Sequence, residues 1–241
     1  MTEMAIGELR VTRQQRLDAP SLRRLRDIYY DSFPPSERDN FDELMVAIAQ
    51  GLSWLFTASL DGNLVGFAIA MPIADSDVML LDYFAIAGEH RNQGLGATFL
   101  QRLADEFRAT SSAAGLLLEV ESDEWGSEEE RQLRRRRIGF YRRNGARLVA
   151  GLPPLRVPSM ADDSTLEVKL MWLPLWDEAA EPFGGNLRKC VVALYATSYS
   201  LPATHPLVQE ALAKGVGVSV DHSLAPRLRA ERDSSQRLSD R

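Results

Sequence analysis

The segment from Arg91 to Gly96 has the composition of a phosphate-binding turn at the start of a helix. It follows an apolar stretch that ends near Ile86 and precedes an amphipathic helix predicted at residues 94–108. The first turn of a helix leaves backbone N–H groups unpaired and carries a partial positive charge, so it can bind phosphate. Glycines in this turn would let a phosphate approach, and Arg91 would add a cation. The sequence therefore predicts a pyrophosphate site, against the alternative that the glycines only permit a tight turn and close helix packing.

Two carboxylates occupy alternate positions of a predicted strand. The alternation places Glu119 and Glu121 on one face and Leu118 and Val120 on the other. Carboxylates that face a cleft could attract a cation and take up a proton. The alternative is a solvated strand face, and the sequence alone does not choose between the two.

The elements that must position these residues follow from hydrophobic periodicity and from helix caps. Asp18 is expected to cap a first helix that Pro34 ends, and a second helix is expected to begin near Ser36 or Asp39. Strands are predicted at residues 4–11, 53–60, 64–71, 78–87, 115–121, 146–149 and 165–173. Further helices are predicted at residues 94–108, 128–143, 186–199 and 206–214, and a Pro-rich loop at residues 152–160. This order predicts a mixed α/β domain built on one central sheet.

Residues 80–103 resemble the acetyl-CoA-binding motif of the GNAT family of N-acetyltransferases, in which Arg/Gln-x-x-Gly-x-Gly/Ala follows a strand. The order of elements agrees with that family from about residue 7 to residue 174. The resemblance implies a GNAT-like central mixed sheet flanked by helices, here with a C-terminal helical extension. It also implies acetyl-CoA as the acyl donor.

Two stretches of the chain would hold this donor if the resemblance is carried over by position. Residues 84–86 would pair their backbone with the pantetheine arm, as a peptide strand adds to an open sheet edge. Residues 91–97 would hold the pyrophosphate, and the backbone N–H of Ile86 would stabilise the oxyanion. The implied donor-binding residues are Phe84, Ala85, Ile86, Arg91, Asn92, Gln93, Gly94, Leu95, Gly96 and Ala97.

Residues 140–146 resemble the second motif of the family, in which a Tyr lies near the cofactor sulfur. The resemblance implies that Tyr141 is the general acid for the departing thiolate, because a phenol of reference pKa about 10 stays protonated at neutral pH. The alternative is a core Tyr on an amphipathic helix. Glu119 and Glu121 are the candidate bases, and Glu37 is a third acidic candidate because its loop borders the acceptor site in the family.

The sequence also departs from the family pattern at several positions. Ile138 and Arg135 stand where Ala and Asn are frequent, and Gly88 stands where Pro is common. The arginines at 134–137 could reach cofactor phosphates or could form a solvated helix face, and the second interpretation is favoured. These departures weaken the transfer of family contacts to this helix.

Composition excludes several classes of protein. The 241-residue chain has a formal net charge of −6, which argues against a nucleic-acid or anionic-membrane partner. Cys190 is the one cysteine, so no intramolecular disulfide can form, and His90, His205 and His222 are too scattered for a metal site. With no signal peptide and no long apolar window, a cytoplasmic location is expected.

The expected organisation is an acetyltransferase domain at residues 1–176, a helical extension at 177–222 and a disordered tail at 223–241. The extension would pack on the domain or form a homodimer contact. The leading functional hypothesis is transfer of an acyl group from acetyl-CoA to a primary amine of a small molecule or an amino-acid-like acceptor. The alternatives are a non-catalytic acyl-CoA-binding module that docks a partner through the extension, and an acyltransferase for a protein or carrier-bound amine.

Overall fold

The computed structural model describes residues 8–215, and eight strands within this range form one sheet. The strands are β1 (Arg10–Gln14), β2 (Trp54–Leu60), β3 (Asn63–Pro72), β4 (Val78–Ile86), β5 (Gly115–Glu121), β6 (Arg147–Leu148), β7 (Leu155–Pro158) and β8 (Thr165–Pro174). Their order is β1-β2-β3-β4-β5-β8-β6, and β7 pairs with β8 beside β6. The β4–β5 pair is parallel and the other pairs are antiparallel, so the sheet is mixed as predicted.

Helices cover both faces of the sheet. They are α1 (Ala19–Ser32), α2 (Phe41–Ala49), α3 (Leu95–Thr110), α4 (Glu128–Arg143), α5 (Leu187–Tyr199) and α6 (Pro206–Gly215), with short 3-10 turns at Pro35–Glu37, Gly88–His90 and Pro182–Gly185. One core lies between the sheet and α3 with α4. On the opposite face, α1 and α2 cover β2 to β4, and α5 and α6 cover β5, β7 and β8.

The helix ends follow from side-chain caps in the sequence. The Asp18 carboxylate accepts a hydrogen bond from the Ser21 N–H at 2.8 Å, as the N-cap prediction requires. The α2 helix begins at Phe41, later than predicted, because Asn40 caps it and Pro35–Glu37 forms a separate 3-10 turn. Ser127 and Glu130 form a capping box that starts α4.

The β4–β5 pairing covers only the first half of each strand. Val78 to Leu81 pairs in register with Gly115 to Leu118, and neither strand is paired with the other beyond that point. A β-bulge accompanies the separation, because Ile69 and Ala70 of β3 face Tyr83 and Leu81 of β4 and leave Asp82 without a partner. A gap therefore opens between two adjacent strands in the middle of the sheet.

Most predicted elements are confirmed, and two differ. The Pro-rich loop prediction for residues 152–160 is wrong in part, because Leu155–Pro158 is a strand that pairs with β8. Pro158 is tolerated there because it ends the strand and lies at the sheet edge. The first predicted strand, at residues 4–11, is shifted: β1 begins at Arg10, and residues 1–7 lie outside the described part of the chain. The tail predicted at 223–241 lies outside the described residues as well.

The α5 and α6 helices pack against the sheet. Val191, Leu194 and Tyr195, which gave the extension its helical periodicity, are completely buried against β5, β7 and β8. The extension was expected either to pack on the domain or to form a homodimer contact, and the structure shows these apolar residues packed on the domain. None of the helices at residues 8–215 is long and apolar enough to span a membrane.

Replacement of Leu194 by Ala tests the docking of α5. Because Leu194 is fully buried, we expect Leu194→Ala to lower the free energy of unfolding by about 2–5 kcal/mol. Chemical denaturation followed by circular dichroism measures this change. The matched control is Leu52→Ala, since Leu52 is 61% exposed and its loss should cost less than about 0.5 kcal/mol. Equal effects of the two substitutions would contradict the packing of α5 on the sheet.

Candidate active site

A cavity of about 940 Å³ occupies the gap between β4 and β5. It reaches through the sheet, because α3 and α4 border it on one face and the α1–α2 connection and α5 border it on the other. The cavity is therefore continuous from the predicted pyrophosphate turn to the predicted carboxylates.

The open edge of β4 presents backbone polar groups to this gap. The Ala87 N–H donates to the Val65 carbonyl at 2.8 Å, and Gly66 lies opposite Ile86. Gly66 and Ile86 therefore form a non-hydrogen-bonded antiparallel pair, so the N–H and C=O of Ile86 point away from β3. Those of Phe84, two residues earlier, point the same way. This is the geometry that strand-like pairing with an amide-containing ligand requires.

The first turn of α3 is open to a ligand. Gly94 is the N-cap residue, with φ of +79°, and no side chain caps the helix. Asn92 also has a positive φ, of 62°, so the turn before the helix bends sharply. A Cβ at position 96 would make ordinary van der Waals contact with the Phe140 ring, at 3.4 Å, so Gly96 lies close to α4 beside the cavity. Backbone donors of this turn have the arrangement that binds phosphate.

Arg91 is engaged with the protein. Its Nε donates to the Ile86 carbonyl at 2.9 Å, and Nη2 donates to Asp31 Oδ2 at 3.0 Å and to Ser32 Oγ at 2.8 Å. These bonds tie the turn to the end of α1, while the side chain still borders the cavity. Arg91 therefore fixes the shape of the turn as well as contributing charge.

The other residues predicted to bind the donor divide into two groups. Phe84, Ala85, Ile86, Asn92, Gly94, Gly96 and Ala97 border the cavity, as does Arg91. The side chains of Gln93 and Leu95 face elsewhere: Gln93 Nε2 donates to the Glu89 carbonyl at 3.0 Å, and Leu95 is buried in the core under α3. Periodicity within the short turn could not separate these two groups.

Tyr141 lies in the cavity wall and is almost completely buried. Its ring packs edge-on to Phe140 and Phe84, with ring centroids 5.2 Å and 6.4 Å away. Burial raises the pKa of Tyr141 to about 12, and the nearby Arg137 guanidinium opposes that rise. The phenol is therefore protonated at neutral pH and able to donate.

Glu119 lies on the cavity face of β5, opposite the core face that holds Leu118 and Val120, as the alternation predicts. Its Oε1 accepts a hydrogen bond from the Tyr199 hydroxyl at 3.0 Å, and Oε2 accepts one from Ser198 Oγ at 3.3 Å. Burial raises the pKa of Glu119 to about 7, although both hydrogen bonds lower it. Such a carboxylate can accept and release a proton near neutral pH.

Glu121, two residues along the same strand, is neutralised by arginine. Arg134 Nη2 lies 2.8 Å from Glu121 Oε1, and both side chains are more than four-fifths buried. Arg137 lies between Glu121 and Glu37, 4.0 Å and 3.5 Å from their carboxylates. The interpretation of residues 134–137 as a solvated helix face is therefore wrong for Arg134 and Arg137, because buried carboxylates on β5 and in the α1–α2 connection attract them.

Glu37 also has a raised pKa, of about 7. Burial is the main cause, the Arg137 guanidinium opposes it, and the Glu121 carboxylate adds to it. Its position in the α1–α2 connection places it on the cavity wall, as its loop implied. Glu37 and Glu119 therefore both titrate in the range where an acid–base group is useful.

Several polar cavity residues were not predicted from the sequence, among them Asp39, Asp82, Ser198 and Tyr199. Asp82 has a recognisable signal, since it is the only charged residue within the apolar run of β4. Its Oδ2 has no hydrogen-bond partner among the described residues, and burial holds its pKa well above the ordinary range. Ser198 and Tyr199 have no such signal, because they reach the site only through the docking of α5.

Metal chemistry has no support in the described part of the chain. No group of three or more His, Cys, Asp and Glu side chains at residues 8–215 is arranged to hold a metal ion. His205 instead accepts a hydrogen bond from the Leu207 N–H through Nδ1 at the start of α6.

Residues 22–145, more than half of the chain, match the model of the acetyltransferase (GNAT) family. The chain belongs to this family. The match contains the turn before α3, the open edge of β4 and Tyr141, which is the part of the site built by β4, α3, β5 and α4. The protein is thus an N-acetyltransferase by class.

Solved structures share the fold of this GNAT acetyltransferase. A GNAT-family protein of Bacteroides thetaiotaomicron superposes with a TM-score of 0.63 and 21% identity over 80% of this chain and 99% of its own. The Escherichia coli N-acetyltransferase that acts on an alanine of a ribosomal protein gives a TM-score of 0.50 and 20% identity over 70% of this chain and 94% of its own. Spermidine N-acetyltransferase of Vibrio cholerae, in complex with CoA and spermine, gives a TM-score of 0.50 and 18% identity over 68% of this chain and 95% of its own. Among curated proteins, no sequence matches this chain.

The ion pair between Arg134 and Glu121 predicts a large effect on stability. Because both groups are mostly buried, Arg134→Gln should leave the Glu121 carboxylate with only the longer contact to Arg137, at 4.0 Å, and lower the free energy of unfolding by about 3 kcal/mol. Urea denaturation measures this. Arg135→Gln is the control, since Arg135 pairs with Glu128 at an exposed position and should contribute less than about 1 kcal/mol. A loss for Arg134→Gln no larger than that of the control would show that Glu121 has another partner.

Proposed function

We propose that this enzyme transfers the acetyl group of acetyl-CoA directly to a primary amine of a small, cationic acceptor. The observation that carries the proposal is the single cavity that joins the uncapped N-terminus of α3 to Glu119 through the gap between β4 and β5. One end has donors for a pyrophosphate, and the other end has a titratable carboxylate for an ammonium group.

The residues present fit acetyl-CoA, which would supply an activated acyl group as its thioester. The backbone groups of Phe84 and Ile86 point into the gap and would hold the amides of the pantetheine arm. The turn from Gly94 to Ala97, free of bulky side chains at 94 and 96, would hold the pyrophosphate. The Ile86 N–H would stabilise the negative charge that develops on the carbonyl oxygen.

The charges on the cavity wall support a cationic acceptor. Six carboxylates line it, against three guanidinium groups from Arg91, Arg137 and Arg143. The six are Asp31, Glu37, Asp39, Asp82, Glu119 and Glu121. Arg91 pairs with Asp31, Arg137 with Glu37, and Arg134 from α4 with Glu121, so Asp39, Asp82 and Glu119 remain without an ion pair among the described residues. An ammonium group is attracted to such a surface, and its desolvation is offset by the buried carboxylates.

Glu119 is the proton acceptor in this proposal. An alkylammonium of reference pKa about 10.4 must lose a proton before it attacks, so a base close to the amine is needed. Glu121 is held by Arg134 at 2.8 Å, whereas Glu119 accepts hydrogen bonds from two hydroxyl groups and forms no ion pair within residues 8–215. A carboxylate without a cationic partner is the better base, since an ion pair stabilises the charged form.

Tyr141 is the general acid that protonates the departing thiolate. The phenol borders the cavity from α4, next to the Phe84 ring on the open strand. The pKa of Tyr141 is about 12 and that of Glu119 about 7, so between these values the phenol is protonated while the carboxylate is ionised.

Acetyl-CoA binding and CoA release test the proposal together. Isothermal titration should show acetyl-CoA binding at micromolar concentration, and a panel of small mono- and polyamines should give free CoA. The same panel includes a peptide with a free N-terminus, because one structural neighbour acetylates a ribosomal protein. Release of CoA with the peptide alone would replace the small-molecule acceptor by a protein one, and absence of acetyl-CoA binding would refute the proposal.

Removal of the Tyr141 hydroxyl should slow the chemical step. We expect Tyr141→Phe to lower kcat by roughly 100-fold, in the range of general acid catalysis, with little change in the Kd for acetyl-CoA. Steady-state kinetics and titration measure the two values. Tyr30→Phe, at a residue that is half exposed and outside the cavity wall, is the control. If the two variants turn over equally fast, Tyr141 is not the acid.

The pH dependence of kcat/KM should show the ionisation of Glu119. The base must be deprotonated, and its pKa is about 7, so kcat/KM should fall as pH drops through 7. In Glu119→Gln this limb should disappear and the rate should fall by roughly 100-fold or more. Glu37→Gln is the control for the second group of pKa about 7. If the limb survives in Glu119→Gln and vanishes in Glu37→Gln, Glu37 is the base.

A further inference from the structure

The last turn of α5 makes direct contact with Glu119. The Tyr199 hydroxyl donates to one carboxylate oxygen at 3.0 Å, and Ser198 Oγ donates to the other at 3.3 Å. Both residues lie more than fifty positions beyond the end of the family match at residue 145. A segment outside the family domain therefore contributes polar groups to the active-site cavity.

The α5 helix is held firmly enough to orient these hydroxyl groups. Val191, Leu194 and Tyr195 are completely buried against the sheet. The Tyr195 hydroxyl also donates to the Arg156 carbonyl at 2.7 Å, which fixes the helix to β7. Ser200 ends α5 with a positive φ of 54°, so the chain turns away directly after Tyr199.

The surroundings of Glu119 offer no other compensation for its charge. Asp82 faces it from β4, Glu121 follows it on β5, and α5 presents Cys190, Tyr195 and Tyr199. All of these groups are acids or neutral donors, and no Lys or Arg at residues 8–215 forms an ion pair with Glu119. The two hydroxyl donors therefore stabilise the carboxylate form.

We propose that α5 is a positioning element of the active site, in which Tyr199 and Ser198 hold Glu119 in the orientation that accepts the proton of the acceptor amine. This inference rests on the proposed function, in which Glu119 is the base. Tyr199 and Ser198 are positioning residues, because they act through Glu119. The acceptor end of this enzyme is thus completed by its C-terminal extension.

The test compares two tyrosines of the same helix. Tyr199→Phe removes the donor to Glu119, and Tyr195→Phe removes a donor on the same helix whose partner is the Arg156 carbonyl. The pKa of Glu119 is measured in the free protein by NMR of ¹³C-labelled glutamate carboxyl groups, with Glu119→Gln to assign the signal. A hydrogen bond to a charged group affects an equilibrium by roughly tenfold, so Tyr199→Phe should raise this pKa by about one pH unit. Tyr195→Phe should leave it at the wild-type value.

Kinetics provide the second readout. The acid limb of kcat/KM should move to higher pH in Tyr199→Phe by the same amount as the NMR titration, and the limb of Tyr195→Phe should coincide with that of the wild type. If Tyr199→Phe does not fold, Ser198→Ala removes the other donor and should move both readouts in the same direction. A Glu119 pKa unchanged by loss of its donor overturns the inference, even if the enzyme is active. A wild-type enzyme that binds no acetyl-CoA refutes the proposed function instead, and the NMR titration shows separately whether α5 controls the carboxylate.

Discussion

The end of pairing between β4 and β5 is the constraint on which the rest of the structure depends. Two parallel strands that share four residue pairs and then separate leave backbone donors and acceptors in the interior of the sheet. Such groups need partners, because an unpaired polar group away from water is costly. The bulge at Asp82 lets β4 turn from β5 while β3 stays paired with it, so the sheet remains whole on one side of the gap. A ligand with amide groups can satisfy the exposed edge.

The acidic side chains that line the gap fall into two groups, those paired with arginine and those without a cationic partner among the described residues. Arg134 and Arg137 from α4 neutralise Glu121 and approach Glu37, which offsets part of the cost of burying these carboxylates. Glu119 receives hydroxyl donors instead of cations, and Asp82 has one carboxylate oxygen without a partner among the described residues. Burial without a counter-charge is what raises a carboxylate pKa toward neutrality. On β5, Glu121 is therefore held in an ion pair, while Glu119, two residues away, is the base in the proposed mechanism.

Much of this arrangement could be predicted from the sequence because it depends on local patterns. The alternation of side chains on β5 predicted the face of the strand on which Glu119 lies. The glycines at 94 and 96 predicted the accessible turn before α3. The rest depends on contacts between distant segments. Arg134 lies in an Arg-rich helix and would be expected at the surface, but in the structure it pairs with the buried Glu121. Tyr199 contacts Glu119 only because α5 packs on the sheet. Side-chain partners that lie about eighty positions apart leave no periodic signal in one sequence.

The single cysteine of the chain has a practical use that follows from its place under α5. Cys190 is completely buried between this helix and the sheet, and burial raises its pKa to about 12, so the folded protein should not react with thiol reagents. A colorimetric thiol assay would then detect released coenzyme against a clean background. With the same reagent, slow labelling of Cys190 would report the local unfolding of α5 from the sheet. The labelling rate would then measure how often the contacts of Tyr199 and Ser198 with Glu119 are broken.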